Sequence, residues 1–376
     1  MLLISLGKKP DDLKTRNYYA NAPDLRYSGR RVDWDSWEVD IQTLSVNKTN
    51  KLGAGAFADV FRGEIRELDL PESTVTVKML HKPETEQSRQ AILKEIDIMK
   101  SIGYHIHLVS LIGCITNVQS SSPFFIMELC SKGSLLDLLH VGKSDGGMEN
   151  NTQSERNSTM APMELDTIGE TKIVTDDNAP ILSLKMLASF AWQISNGLNF
   201  LTSKGIIHCD VAARNVLVTR EMVAKLGDFG LCQRKMDKIP IKWTAPEALE
   251  RAEFSVKSDV WSYGILLHEI YSFGEVPYAL IQPEDMLYHL QHGQRLAQQQ
   301  DCPDEIYDLM QQCWQIEPEL RPTFEEVRTK IGNVLGLLSD MYGYLSVNQA
   351  EYFTTSAVQL NDNRDTDESS AMHISP

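Results

Sequence analysis

Positive charge is in short supply here: 36 Lys and Arg stand against 52 Asp and Glu among 376 residues, a formal net charge of −16. Neutralising a nucleic-acid backbone needs the opposite balance, so a general nucleic-acid binder is excluded. No apolar run reaches the roughly 18 residues that a membrane-spanning helix requires. The opening Met1–Leu6 is shorter than a secretory core of about 7 to 15 residues, and Lys8 and Lys9 follow it instead of preceding it. The expected location is therefore cytoplasmic, with membranes reached only through partners. The six cysteines, at positions 114, 130, 209, 232, 302 and 313, form no Cys-x-x-Cys pair and have no histidine at zinc spacing. They read as free thiols of a reducing compartment. No internal repeat at a period of about 20 to 50 residues is visible.

What is present is an apolar fraction of 42%, enough for a large core, distributed unevenly. Between 141 and 180 there are eight acidic and three basic residues set among Gly, Asn, Ser and Thr. Such a stretch cannot bury enough apolar surface to offset its ordering entropy, and it reads as a mobile insertion. The end of the chain, from Gln349 to Pro376, has the same polar and acidic character. The first part, about 44–80, alternates short Val- and Phe-rich runs with glycines and a Pro-Glu-Ser turn, which predicts strands. Ile92, Ile96 and Met99 then switch to helical spacing, Phe124–Leu129 is another apolar strand, and Leu184 to Leu201 keeps a helical stripe for about five turns. Strands first and helices later predict two lobes of different architecture.

Three features of the first part carry chemistry together. Leu52, Gly53, Ala54, Gly55, Ala56, Phe57, Ala58 and Val60 form a glycine-containing run between strand-like stretches, where the missing Cβ atoms allow a backbone to approach phosphate. Alone, such a run is more often a structural turn than a phosphate loop. Lys78 lies in the next strand, and Glu95 follows seventeen residues later on the amphipathic helix, placed to hold that lysine by an ion pair. The second part supplies Ile207-His-Cys-Asp-Val-Ala-Ala-Arg-Asn-Val-Leu217 and then Asp228-Phe-Gly230. Asp210, Asn215 and Asp228 are oxygen donors spaced to gather around Mg²⁺ and a transferable phosphoryl group.

With Ala245-Pro-Glu247 following, the motif set resembles the eukaryotic protein kinase family, over about 44–336. The resemblance implies an α+β, bilobal protein-kinase-like fold, with a small β-rich N-lobe (about 44–127) and a larger α-helical C-lobe (about 131–336) interrupted by the insertion. Residues 1–43 and 337–376 would flank it. It further implies ATP and Mg²⁺ as cofactors: Asp210 accepts the substrate hydroxyl proton, Asn215 and Asp228 hold the metal, and Lys78 with Glu95 orients the α- and β-phosphates. Adenine would lie between Leu52 and Val60 above and Leu217 below, bonded to backbone groups of Glu128 and Cys130, with Met127 guarding the back of the pocket. The stretch Asp210-Val-Ala-Ala-Arg-Asn215 and the shelf Pro240-Ile-Lys-Trp-Thr-Ala-Pro-Glu247 are similar to the tyrosine-kinase forms, which makes Arg214 a catalytic-loop residue and tyrosine the acceptor. The insertion and Trp37-Glu-Val-Asp40 resemble the split kinase domains of receptor tyrosine kinases, here without a membrane span. By the same resemblance Asp259 braces the catalytic loop and Arg321 pairs with Glu247.

The pattern departs in four places. Ala58 replaces the third loop glycine, Thr76 stands where the family has alanine over adenine, Cys209 replaces the arginine before the catalytic aspartate, and the loop Leu231–Ile239 is short and lacks Ser, Thr and Tyr. An arginine that clamps a loop phosphate is unnecessary where the loop cannot be phosphorylated, so the last two departures agree. The expected partners are proteins presenting tyrosine, and phosphotyrosine-binding adaptor domains at Tyr18, Tyr19, Tyr342, Tyr344 and Tyr352. Two alternatives stay open at this level. One is a catalytically impaired pseudokinase acting as scaffold or allosteric partner; the other, which Ala212-Ala213-Arg214 disfavours, is a serine/threonine kinase.

Overall fold

The computed structural model describes residues 37–54, 58–66, 73–81, 85–116, 122–145, 182–231 and 239–340. Gly55–Phe57, most of the short loop, most of the insertion and the flanking tyrosines lie outside them.

The first lobe is an antiparallel sheet of β1 (Leu44–Ala54), β2 (Ala58–Ile65), β3 (Ser73–Leu80), β4 (Leu111–Ile115) and β5 (Phe124–Glu128), in the order β1-β2-β3-β5-β4. Period-2 alternation decides its faces. Val75 and Val77 are buried in one small core with Ile65, Ile115, Phe124 and Ile126, so the alternating Thr76 and Lys78 lie on the other face of the same strand. Helix α1 (Glu86–Ile102) packs there. It begins with a capping box, in which the Thr85 side chain accepts from Ser88 N–H while Ser88 Oγ accepts from Thr85 N–H. It buries Ile92, Ile96 and Met99.

The flank assigned to residues 1–43 is not wholly outside this lobe. Val39 N–H donates to Cys114 O at 3.0 Å and Cys114 N–H donates to Trp37 O at 2.7 Å, adding a short parallel pairing to the β4 edge. A Cβ on Gly113 would lie 2.3 Å from Val39 Cγ2, so only glycine admits this approach.

The second lobe is helical. It contains α2 (Leu135–Asp145), α3 (Leu184–Ser203), α4 (Pro246–Arg251), α5 (Val256–Tyr271), α6 (Met286–Gln291), α7 (Asp304–Cys313) and α8 (Phe324–Asp340). A small hairpin of β6 (Val216–Val218) and β7 (Ala224–Leu226) precedes the Asp228 turn. Among the described residues no helix is long and apolar enough to cross a membrane. Helix α5 is buried from Ser258 to Tyr271, which makes it the axis of the lobe. Helix α2 continues through 141–145, residues that composition assigned to the insertion. Gly142 packs close to Leu182, and Lys143 pairs with Glu275 at 2.8 Å, so the polar stretch leaves the fold later than its composition suggests. Helix α8 likewise runs to Asp340, four residues into the stretch assigned to the tail.

Arg321, with a fully buried side chain, meets Glu247 through two bonds of 2.6 and 2.8 Å, and it also donates to Lys257 O and Gln315 O. Removing one partner strands a buried charge. Arg321→Met should therefore cost about 3 to 5 kcal/mol, read as a lower urea midpoint at unchanged slope. The double variant Glu247→Leu/Arg321→Met should recover part of that loss.

Candidate active site

The site begins with register. Lys78 pairs with Val60 on one side and Phe125 on the other, which fixes its place mid-sheet. Its Nζ lies 2.6 Å from Glu95 Oε1 and 3.1 Å from Asp228 Oδ1, so strand, helix and the Asp228 turn converge on one cation. Burial pushes the pKa of this lysine down; the two carboxylates outweigh that effect and raise it. In return the Lys78 charge holds the Asp228 carboxyl down at about 2, against the opposing effect of burial. Asp228 has φ of 57°, a left-handed backbone that a non-glycine residue adopts only at some cost.

The catalytic-loop residues are assembled from below. Asp259, on buried α5, accepts His208 N–H at 2.7 Å and Cys209 N–H at 2.8 Å. Burial pushes its carboxyl up to about 7 against the pull of those two donors. Cys209 has φ of 66°, and Asp210 follows with one carboxylate oxygen, Oδ1, paired to the Arg214 guanidinium. Asn215 Nδ2 donates to Asp210 O at 2.8 Å, which leaves its Oδ1 as the free end of the amide. Gly227 N–H donates to Asn215 O at 2.9 Å, and His208 Nε2 lies 3.0 Å from Gly227 O, so the Asn215 and Asp228 segments are laced together. Lys78, Glu95 and Asp228 thus meet directly, and Asp210, Arg214 and Asn215 are laced to the Asp228 segment through Gly227 and His208.

That donor set fits Mg²⁺. A half-exposed carboxylate and an amide oxygen are hard ligands for an ion that keeps several waters and takes the rest of its shell from phosphates. Among the described residues no cluster of three or more His, Cys, Asp and Glu side chains competes as a metal site.

On the nucleotide side, Gly53 pairs with Val60 and Ala54 with Asp59. Leu52 is exposed, whereas Val60 and Leu217 are half-buried. Ala58 is buried in β2 opposite Leu80, and Thr76 is buried in β3 opposite Met127. Glu128 N–H donates to Ser110 O and Cys130 O accepts from Gly133 N–H; among the described residues the Cys130 N–H has no protein acceptor.

Sequence reasoning missed three side-chain contacts around the site. Glu128 Oε1 accepts Ser110 N–H at 2.7 Å and pairs with buried Lys225 at 3.0 Å, tying β5 to β7. Glu269 accepts Ala213 N–H at 2.9 Å from α5, and burial pushes its carboxyl up to about 7. The Trp243 ring lies 4.6 Å from the Arg214 guanidinium carbon. Aromatic and cationic spacing in the sequence gives no signal for contacts this remote. Thr244, the hydroxyl nearest to the short loop, is buried with its Oγ1 donating to Pro240 O at 3.0 Å.

Because the folded pKa of Asp228 lies below its usual 3.8, this group stabilises the fold above that value and the contribution is lost as pH falls towards about 2. Lys78→Met removes the cause. Carbonyl-carbon NMR should show the Asp228 titration moving upward in that variant; an unmoved midpoint would mean that Lys78 does not hold it.

Comparison with known proteins agrees with the geometry. The family model for protein tyrosine and serine/threonine kinases matches residues 46–331. A candidate tyrosine-protein kinase of Caenorhabditis elegans is 38% identical over 372 residues, covering 92% of this chain and 40% of that protein. The myoblast growth factor receptor of the same organism is 35% identical over 82% of this chain and 30% of its own length. Fibroblast growth factor receptor homolog 1 of Drosophila melanogaster is 34% identical over 88% of this chain and 43% of its own. The chain spans less than half the length of each of these relatives. A two-lobed fold, a lysine shared by Glu95 and Asp228, and a match running through nearly the whole described region place the chain in the protein tyrosine and serine/threonine kinase family.

Proposed function

We propose that this chain transfers the γ-phosphoryl group of ATP, with Mg²⁺, to tyrosine hydroxyls of protein substrates. The observation that carries the reading is the Lys78 ammonium held at 2.6 Å by Glu95 and 3.1 Å by Asp228, the arrangement in which a cation can meet the α- and β-phosphates. A phenolic oxygen attacks phosphorus, the bond to the ADP oxygen breaks, and the hydroxyl proton passes to Asp210. Arg214 occupies one oxygen of Asp210, leaving Oδ2 as the acceptor. Asn215 and Asp228 hold Mg²⁺, which when bound neutralises charge on the phosphates. The run Leu52–Ala58 covers those phosphates, while Val60, Leu217, Glu128 and Cys130 surround the base.

Tyrosine as acceptor is supported by Ala212-Ala213-Arg214 and the shelf at 240–247, and by the names of the relatives. Its oxygen stands far from its own backbone, so the shelf must keep the substrate chain well away from Asp210. We further assign 44–336 to the catalytic unit, with 1–43, the insertion and 337–376 as excursions, subject to the folded ends noted above. Adaptor docking at Tyr18, Tyr19, Tyr342, Tyr344 and Tyr352, and action at the cytoplasmic side, complete the proposal.

Incubation with ATP, Mg²⁺ and a mixed Tyr/Ser/Thr peptide pool tests it. Label should appear on tyrosine and fall by about 10² to 10⁴-fold in Asp210→Asn. Label on serine alone rejects the acceptor, and equal signals from wild type and variant put the pseudokinase scaffold ahead. Phosphosite mapping of active protein should find no site between Gly230 and Ala245; a stimulatory phosphate there would refute an enzyme that needs no loop switch.

A further inference from the structure

The substrate shelf and the catalytic loop touch through contacts that the phosphotransfer scheme leaves unused. The Arg214 guanidinium pairs with Asp210 Oδ1 on one side and lies 4.6 Å over the Trp243 ring on the other. A guanidinium is attracted to the negative face of an indole, so the ring is a wall that favours one placement of an otherwise flexible side chain. The wall is itself fixed. Trp243 N–H donates to Pro240 O at 2.9 Å, its carbonyl accepts from Ser262 Oγ at 2.8 Å, and Ser262 sits on buried α5. Lys242, next to it, donates to Tyr278 O at 2.9 Å and pins the shelf from outside. The loop end is anchored to the same helix, because Glu269 accepts the N–H of Ala213, the residue before Arg214, at 2.9 Å. Helix α5 therefore holds both jaws of one clamp.

We propose that Trp243 is a positioning residue whose ring keeps Arg214 on Asp210 Oδ1, so that Oδ2 of Asp210 is the oxygen presented to the substrate hydroxyl. This rests on the phosphotransfer reading above and adds how the base is oriented. Loss of the ring frees Arg214 to swing outward, and Asp210 then rotates between its two oxygens. Nucleotide binding should be little changed, because the Lys78 contacts to Glu95 and Asp228 are made by β3, α1 and the Asp228 turn and not by the shelf.

The test uses the full chain, with a tyrosine peptide as substrate. In Trp243→Leu, kcat should fall at least tenfold while the KM for ATP stays within twofold. Trp243→Phe keeps an aromatic face and should retain half or more of the wild-type kcat. Because Trp243 acts through Arg214, the double variant Trp243→Leu/Arg214→Ala should be no slower than Arg214→Ala alone. Wild-type kcat in Trp243→Leu, or losses that multiply in the double variant, would overturn the proposal. A second readout is independent of turnover: the Arg214 side-chain proton signals should carry an upfield ring-current shift in wild type and Trp243→Phe that disappears in Trp243→Leu. Absence of phosphate transfer by the wild type defeats the phosphotransfer reading instead, and the clamp is then decided by that shift, its absence in wild type counting against the clamp.

Discussion

One buried ammonium sets the terms for the rest of the molecule. Removing the Lys78 charge from water is costly, and Glu95 and Asp228 offset that cost by both reaching it. Each partner comes from a different element, so the contact exists only when three pieces of structure agree. The sheet must present Lys78 on the face opposite Val75 and Val77, α1 must bury Ile92, Ile96 and Met99 to aim Glu95 inward, and the chain at Asp228 must turn through a left-handed conformation. A one-residue slip in β3 would turn Lys78 to the other face and take its charge away from buried Glu95.

The helical lobe answers with a second buried axis. Three segments around the site hang on α5: the His208–Cys209 backbone through Asp259, the Ala213 turn through Glu269, and the shelf through Ser262. A helix exposed on one side could not do this, because polar groups aimed into the lobe must be shielded to bind backbone rather than water. Its burial on all sides, with a capping box at Ser255, is what lets a helix hold a loop in place.

How much of this could be read in the sequence follows the range over which each signal acts. Strands β1, β2, β3 and β5, with α1 and α3, were legible because side-chain periodicity is local, and Lys78, Glu95, Asp210, Asn215 and Asp228 were legible because their spacing forms a motif. The ends were less so. Residues 37–39 pair with β4 more than seventy positions away, and no local pattern announces an edge that a glycine at 113 leaves open. Glu128 with Lys225, and Arg214 with Trp243, are invisible for the same reason: each residue alone is an ordinary charged or aromatic side chain, and only the fold brings it a partner. The helical continuation through 141–145 shows composition failing at a boundary, where packing on Leu182 and a pairing to Glu275 outweigh a polar sequence.

Cys209 shows why a departure from the motif need not break the site. An arginine at that position acts through its side chain, by clamping a phosphate. What the geometry of Asp210 needs from residue 209 is its main chain: an N–H for Asp259 at 2.8 Å and a φ of 66° that swings the next residue into place. Any residue but proline supplies the N–H, and the strain of the left-handed backbone, on the order of 1 to 2 kcal/mol, is offset by that bond. The side chain is thus separable from the turn it sits on. A loop held from α5 through its backbone is already ordered, and the neighbouring hydroxyl of Thr244 is buried in the shelf where a modifying enzyme cannot reach it. Asp259 thus sets the turn that presents Asp210 from inside the lobe, whichever side chain residue 209 carries.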